Sequence, residues 1–270
     1  MNYHLYDKVA VITGAGGAIC GEIAKAFARE GILVAIWDVS LDAAEKKCKE
    51  IASSGGKAFA VECNATQKES VTAALEKTLT EYGTVDILVN GAGGSRKETT
   101  TSDDLRFFDL EPDNMKAVLS LNYLSAVIPS QVVGRIFAGK KSGVIINISS
   151  IAGILPLTRA ISYSDGKAAT NSFTRWLAVH MAQEYSPNIR VNAIAPGFML
   201  TEQNRFLLID EKTGEITERG QQILKNVPMG CYGNPHEVVG AALWLVSDMA
   251  SFVTGAVIPI DGGYSAFSGV

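Results

Sequence analysis

Seven short apolar runs, separated by helix-patterned stretches, constrain this chain more than any other feature. They are KVAVIT (8–13), ILVAIW (32–37), KAFAVE (57–62), VDILVN (85–90), GVIINIS (143–149), IRVNAIA (189–195) and AVIPID (256–261). Most are near-continuous in apolar character rather than strictly alternating, the pattern of strands buried on both faces. Helical patterns run from about Ala18 to Glu30, from Leu41 to Ser54 (closed by Gly55-Gly56), and from about Ser162 to Tyr185. Val71, Ala74, Leu75, Thr78, Leu79 and Tyr82 add one mostly apolar stripe at helical spacing. Strands alternating with helices imply right-handed crossovers and a parallel sheet. The expected fold class is α/β, a doubly wound parallel sheet with helices on both faces.

No linker and no internal repeat divides the 270 residues, so residues 1–270 read as one domain. Residues 198–230 break the rhythm. They hold the charged stretch DEKTGEITERG between two apolar pieces, which reads as a substrate lid inserted after a strand. A net charge of −4 offers no broad basic surface to nucleic acid or anionic lipid. Cys20, Cys48, Cys63 and Cys231 form no C-x-x-C pair and read as free thiols of a reducing compartment. The start, MNYHLYDK, lacks an apolar signal core, and the longest apolar runs are too short to span a bilayer. A cytoplasmic protein without a membrane partner is expected. His4, His180 and His236 are scattered and suggest no metal site.

The stretch ITGAGGAICG (12–21) follows the first run and opens the first helix. There, backbone N–H groups and the helix dipole can hold a pyrophosphate. Gly14, Gly16 and Gly17 allow the turn and a close approach. Asp38 ends the second run, where an acid can bind the adenosine ribose hydroxyls and repel a 2′-phosphate. No Arg or Lys lies in the glycine turn, so NAD is favoured over NADP. Farther on, Tyr163 and Lys167 stand four residues apart, on one face of a helix. A lysine cation beside a tyrosine favours the phenolate and lowers its pKa. Ser150 puts a hydroxyl directly after the fifth run, at the strand end where such sheets bind ligands.

Taken in order, TGAGGAIC, Asp38, NGAG (90–93), LNYLSA (121–126), INISS (146–150), YSDGK (163–167), VNAIAPG (191–197) and IDGG (260–263) resemble the short-chain dehydrogenase/reductase family over nearly the whole chain. That resemblance implies a seven-stranded Rossmann-like domain and an NAD-dependent oxidoreductase acting on an alcohol or its ketone. Tyr163 would be the general acid/base, Lys167 its pKa-lowering and ribose-binding partner, and Ser150 the hydrogen-bond donor to the reacting oxygen. Asn122 would help hold a proton-relaying water. Cofactor contacts would come from Gly14, Gly16, Gly17, Ala18, Ile19, Asp38, Asn64, Asn90, Gly91, Ala92, Tyr163, Lys167, Pro196, Gly197 and Thr201. Two departures stand out. Ala18 and Cys20 replace the last two glycines of the family turn, and Asn64 replaces an aspartate beside the adenine amine. The resemblance further implies a homotetramer, with helices near 114–138 and 162–185 and the tail after Asp261 packing on partners.

Arg96, Arg159, Gln203, Asn204 and Arg205 point to a polar, anionic substrate. Arg159 ranks first because it lies closest in sequence to Tyr163. FFDLEP (107–112), PLTRAISYS (156–164), TEQNRFLL (201–208) and the tail DGGYSAFSGV resemble the D-mannonate oxidoreductase (fructuronate reductase) branch of the family. Gluconate 5-dehydrogenases and other polyol dehydrogenases share much of this pattern. A non-catalytic NAD(H)-binding sensor or scaffold would not need Asn122, Ser150, Tyr163 and Lys167 together.

Overall fold

A computed structural model describes residues 5–201, 204–210 and 213–269. The apolar runs become seven strands: β1 (Val9–Thr13), β2 (Leu33–Asp38), β3 (Ala58–Glu62), β4 (Ile87–Asn90), β5 (Gly143–Ile148), β6 (Ile189–Pro196) and β7 (Val257–Ile260). They form one sheet in the order β3-β2-β1-β4-β5-β6-β7, with every neighbouring pair parallel. The fold is the expected Rossmann-like α/β architecture.

The runs are apolar throughout because both sheet faces are dry. Along β1, Ala10 and Ile12 point into one core and Val11 into the other; along β2, Val34 and Ile36 oppose Ala35 and Trp37. Helices α1 (Ala18–Arg29) and α2 (Leu41–Ser53) help build the first core. Helices α3 (Lys68–Tyr82), α4 (Pro112–Lys140) and α5 (Ile161–Glu184) build the second. A fully buried Val, Leu or Ile contributes roughly 1.5–3 kcal/mol. Trp37 is fully buried yet satisfied, its indole N–H donating to Thr78 Oγ1 of α3 at 3.1 Å.

α4 is long and apolar enough, by length and composition, to cross a bilayer, although no contiguous run in the sequence suggested it. Half of its most apolar window is buried inside the protein, and it packs against α3 and α5. Thr170 Oγ1 of α5 donates to the Asn122 carbonyl of α4 at 2.9 Å. A buried polar ladder crosses the same layer. Asn90 Nδ2 donates to Ser130 Oγ (3.0 Å) and to Asn147 Oδ1 (2.8 Å), and Asn147 Nδ2 donates to Thr174 Oγ1 (2.8 Å).

Strand order reverses between β1 and β4, and a crevice opens there at the carboxyl ends of the strands. The segment after β6 carries two short helices, α6 (Arg205–Leu208) and α7 (Glu218–Lys225), joined through an antiparallel bridge between Ile209 and Ile216. Its ends are tied to the body: Leu200 N donates to the Gly233 carbonyl (2.8 Å) and Met229 N to the Gly262 carbonyl (3.1 Å). The chain returns to the first core through α8 (Val239–Val246).

Candidate active site

The glycine turn sits at the crevice. Gly14 has φ +67°, and a Cβ there would lie 2.9 Å from the backbone of Ala92. Only glycine lets the two loops touch. Thr13 Oγ1 locks the contact by accepting from Gly91 N (3.0 Å) and Ala92 N (3.2 Å). Ser125 Oγ holds the same loop from α4, donating to the Ala92 carbonyl at 2.7 Å. Thr13 and Ser125 escaped the sequence reading of the site. Both sit inside quoted motifs, but their partners are distant in sequence.

The two family glycines missing from the turn have different fates. Ala18 is exposed on the open side, where a small side chain leaves room. Cys20 is buried, and its sulfur fills the space in which any Cβ on Gly91 would collide. Burial pushes this thiol up to about 12, so it stays neutral beneath the turn. Ile19 packs against the first core.

The turn fits a dinucleotide. Gly17 caps α1 without a side-chain hydrogen bond, and no acid stands in the first turn of the helix. The helix therefore presents its first N–H groups and positive dipole end to an anion. Asp38 reaches back across the turn: Oδ2 accepts from Gly16 N (2.9 Å) and Oδ1 from Ser40 N (3.0 Å). A Cβ on Gly16 would lie 2.8 Å from Ala43 Cβ and 2.9 Å from Asp38 Oδ2, so this arrangement also requires glycine.

Asn64 behaves differently from the expected adenine-amine acceptor. Its Oδ1 already accepts from Thr66 N (3.0 Å) and Thr66 Oγ1 (2.7 Å). Both lone pairs are used in this local turn, and the amide NH2 is what remains to face a base. Asn90 lies at the end of β4 and holds β5 and α4 through the polar ladder, in keeping with support of the loop rather than direct contact. Gly197 N donates to the Ile260 carbonyl at 2.8 Å, setting the Pro196-Gly197 bend against the end of β7.

Tyr163, Lys167 and Ser150 come together as expected. Lys167 is buried on α5, donates from Nζ to the Ile148 carbonyl at 2.8 Å, and stands 5.7 Å from the centre of the Tyr163 ring. Burial pulls its ammonium down to about 8. Tyr163 corrects one expectation: its phenol is raised above the ordinary value, not lowered. Burial is the larger cause, and a hydrogen bond with Ser150 opposes it. Ser150 Oγ also accepts from Ala152 N at 3.1 Å, which fixes the hydroxyl. Close packing sets this turn, since a Cβ on Gly153 would lie 2.6 Å from the backbone of Lys167. Asn171 Nδ2 donates to the Gly153 carbonyl at 3.0 Å. Asn122 Oδ1 accepts from Gly94 N (3.1 Å) and Nδ2 donates to the Gly94 carbonyl (2.7 Å), so its side chain secures the loop beside the site.

The expected substrate contacts divide. Arg159 is exposed at the entry to α5 and lines a pocket of about 260 Å³ with Thr101, Ser102, Asp103, Arg106 and Phe107. Arg96 is exposed at the start of a short turn, and Arg205 is exposed at the start of α6. Asn204 is committed to its own loop, with Oδ1 accepting from Thr201 N (2.8 Å) and Nδ2 donating to the Met199 carbonyl (2.7 Å). These bonds orient the Asn204 amide on its own loop. Thr201 is half-buried there, and Gln203 lies outside the described residues.

Comparison with known proteins places this geometry. A family model described as enoyl-(acyl carrier protein) reductase matches residues 14–265. An uncharacterised oxidoreductase of Haemophilus influenzae is 42% identical over 280 residues, covering 100% of this chain and 97% of the relative. The crystal structure of a candidate D-mannonate oxidoreductase from Haemophilus influenza, with bound NAD, superposes with a TM-score of 0.92 at 42% identity, covering 98% of each chain. A 7α-hydroxysteroid dehydrogenase complexed with NADH and 7-oxoglycochenodeoxycholic acid superposes with a TM-score of 0.85 at 35% identity, covering 97% of this chain and 96% of its own.

Two predictions follow from the electrostatics. The Lys167 ammonium titrates near 8 folded and near 10.5 in its ordinary state, so the unfolded chain binds the extra proton between those values. Below about pH 8 both states are protonated and the burial penalty is fully present; it is relieved as pH rises toward 10.5. Stability of the parent relative to Lys167→Met should therefore rise over that window, by at most roughly 3 kcal/mol. Urea unfolding of both cofactor-free proteins between pH 7.5 and about 10.5 checks this, and a flat difference counts against it. The second concerns Asp38. The parent should bind NADH more tightly than NADPH, and Asp38→Ala should narrow the gap, as read by fluorescence titration; equal affinities in the parent would contradict the carboxylate's role.

Proposed function

This chain belongs to the short-chain dehydrogenase/reductase family, and we propose that it interconverts a sugar acid and its keto form, most specifically D-mannonate and D-fructuronate. It is an NAD-dependent oxidoreductase acting on alcohol groups. The observation that carries the substrate class is the pocket lined by both Arg106 and Arg159, the latter four residues before Tyr163. The named pair is supported by the 42% likeness to the candidate D-mannonate oxidoreductase.

Hydride exchange with the substrate carbon is the chemistry NAD supplies when bound. The chain's own residues handle the oxygen. Ser150 orients it by hydrogen bonding, and Tyr163 Oη gives or takes the proton. Lys167 holds positive charge beside the phenol and would bind the nicotinamide ribose. Asn122 secures the loop over Lys167. With a buried phenol raised above its ordinary value, Tyr163 is a proton donor at neutrality, which suits reduction of the ketone. Residues 198–230 act as the lid, and the whole chain works as one domain.

Assembly as a homotetramer completes the reading. α4 and α5 present a groove of about 970 Å³ lined in part by Tyr123, Arg135, Trp176, His180 and Tyr185. Trp176, which lines the groove, and Val179 of the same helix are exposed, as apolar groups awaiting a second copy would be.

Tyr163→Phe should keep cofactor affinity while turnover of D-fructuronate with NADH falls about a hundredfold or more, the usual cost of losing a general acid. Absorbance at 340 nm over a panel of D-mannonate, D-gluconate and neutral polyols tests the substrate. Oxidation of D-gluconate or a polyol but not D-mannonate would replace the named pair and leave the dehydrogenase. Light scattering should give a mass near four times 28.7 kDa; a monomer would refute the assembly.

A further inference from the structure

We propose that Asn64 sets which purine the cofactor can carry. It offers the base a hydrogen-bond donor, so the protein binds nicotinamide hypoxanthine dinucleotide at least as tightly as NAD. This depends on the dinucleotide site alone, whatever the alcohol substrate.

Strand order decides which way the adenosine half runs. The Gly14 turn after β1 takes the pyrophosphate, and Asp38 at the end of β2 takes the adenosine ribose. Ser150, Tyr163 and Lys167 gather beyond β5, on the far side of β1, so the nicotinamide half runs toward them. The adenine half therefore continues outward, and the next carboxyl end in the sheet is that of β3. β3 is in register with β2 at Asp38 and Glu62. Cys63 N donates to the Asp38 carbonyl at 2.8 Å, which sets the next residue, Asn64, beside the ribose position. A base joined to that ribose has Asn64 at its edge.

Hydrogen bonds then fix which end of the Asn64 amide faces the base. The Thr66 backbone N–H can only donate, so the amide atom it meets at 3.0 Å is the oxygen. The Thr66 hydroxyl donates to the same oxygen at 2.7 Å. The Asn64 main chain is spent as well. Its N–H donates to Ser70 Oγ of α3 at 2.9 Å, and its carbonyl accepts from Gln67 N at 3.0 Å. Of this residue's polar groups, Nδ2 alone makes no hydrogen bond with a described residue. Turning the amide over would set its NH2 against the Thr66 N–H, donor against donor, and cost the turn its acceptor.

A purine edge presents a pattern of donors and acceptors. The exocyclic amine of adenine is a donor, and against Nδ2 it meets another donor. The exocyclic carbonyl of hypoxanthine is an acceptor, and against Nδ2 it meets its complement. Adenine keeps ring nitrogens that accept, so NAD still binds. An aspartate at position 64 would act in the opposite sense: one oxygen would serve Thr66 and the other would accept from the adenine amine.

The test is calorimetric binding of NAD and nicotinamide hypoxanthine dinucleotide to the parent and to Asn64→Asp, with melting temperatures of both proteins. The parent should bind the hypoxanthine form as tightly as NAD or more tightly. Asn64→Asp keeps an acceptor for Thr66 and should melt close to the parent. In it the ratio of the two affinities should swing toward NAD by about tenfold, the scale of one hydrogen bond gained and one mismatch introduced. The added charge beside Asp38 acts on both dinucleotides alike, so it leaves the ratio untouched. A parent that binds NAD more tightly than the hypoxanthine form overturns the inference without any variant. A ratio that Asn64→Asp leaves unchanged also overturns it, and in both cases NAD dependence stands. If the parent binds neither dinucleotide, the cofactor site fails with it.

Discussion

The contact between the Gly14 turn and the Ala92 loop, sealed by the Thr13 hydroxyl, is the constraint on which the rest of the site depends. β1 and β4 are neighbours in the sheet, but their following segments leave in opposite directions. The crevice between them is useful only if the two loops are held at fixed separation. Thr13 fixes it with two hydrogen bonds, Ser125 anchors the far loop to α4, and Cys20 fills the space under Gly91. The neutral, buried thiol does the packing that empty space would leave undone, at the cost of excluding any side chain at position 91.

Burial also organises the chemistry. Lys167 and Tyr163 share a dry corner of α5, and desolvation acts on both in opposite directions, lowering the ammonium and raising the phenol. The two shifts move the proton donor and the cation apart in pKa, so the phenol holds its proton more firmly than the ammonium does. Ser150 is the counterweight, since its hydrogen bond is the interaction that favours the phenolate. Its position depends on Gly153, whose lack of a side chain lets the turn rest on the backbone of Lys167, and on Asn171, which holds the turn's carbonyl. A hydroxyl placed by backbone packing on a rigid helix costs little reorganisation during reaction.

The segment after β6 contrasts with this rigidity. Among its described residues, Arg205, Asp210, Glu215, Glu218 and Lys225 are exposed, and main-chain bonds tie its ends through Leu200 and Met229. Inside it, Asn204 bonds the local backbone through Oδ1 and Nδ2, and both acidic and basic side chains are exposed. An overall charge of −4 is compatible with a pocket that holds Arg106 and Arg159 against one acid, because a local field depends on the few groups that line it.

Hydrophobic continuity in seven runs was enough to determine the strands and their parallel arrangement in one sheet. Tyr163 with Lys167, and the Gly14 turn with Asp38, were legible for a related reason: each pair is joined by one helix or one strand–helix–strand unit of fixed geometry. Other features could only be decided by tertiary structure. Nothing local in sequence says that Asn64 and Asn204 have already satisfied their own backbones, or that α4 is a half-buried core helix. Nor does it foretell that burial outweighs the Ser150 hydrogen bond in setting the Tyr163 phenol. Secondary structure follows from the period of apolar residues along the chain. Desolvation and charge pairing instead depend on which distant groups exclude water from one another, and only the packed fold decides that.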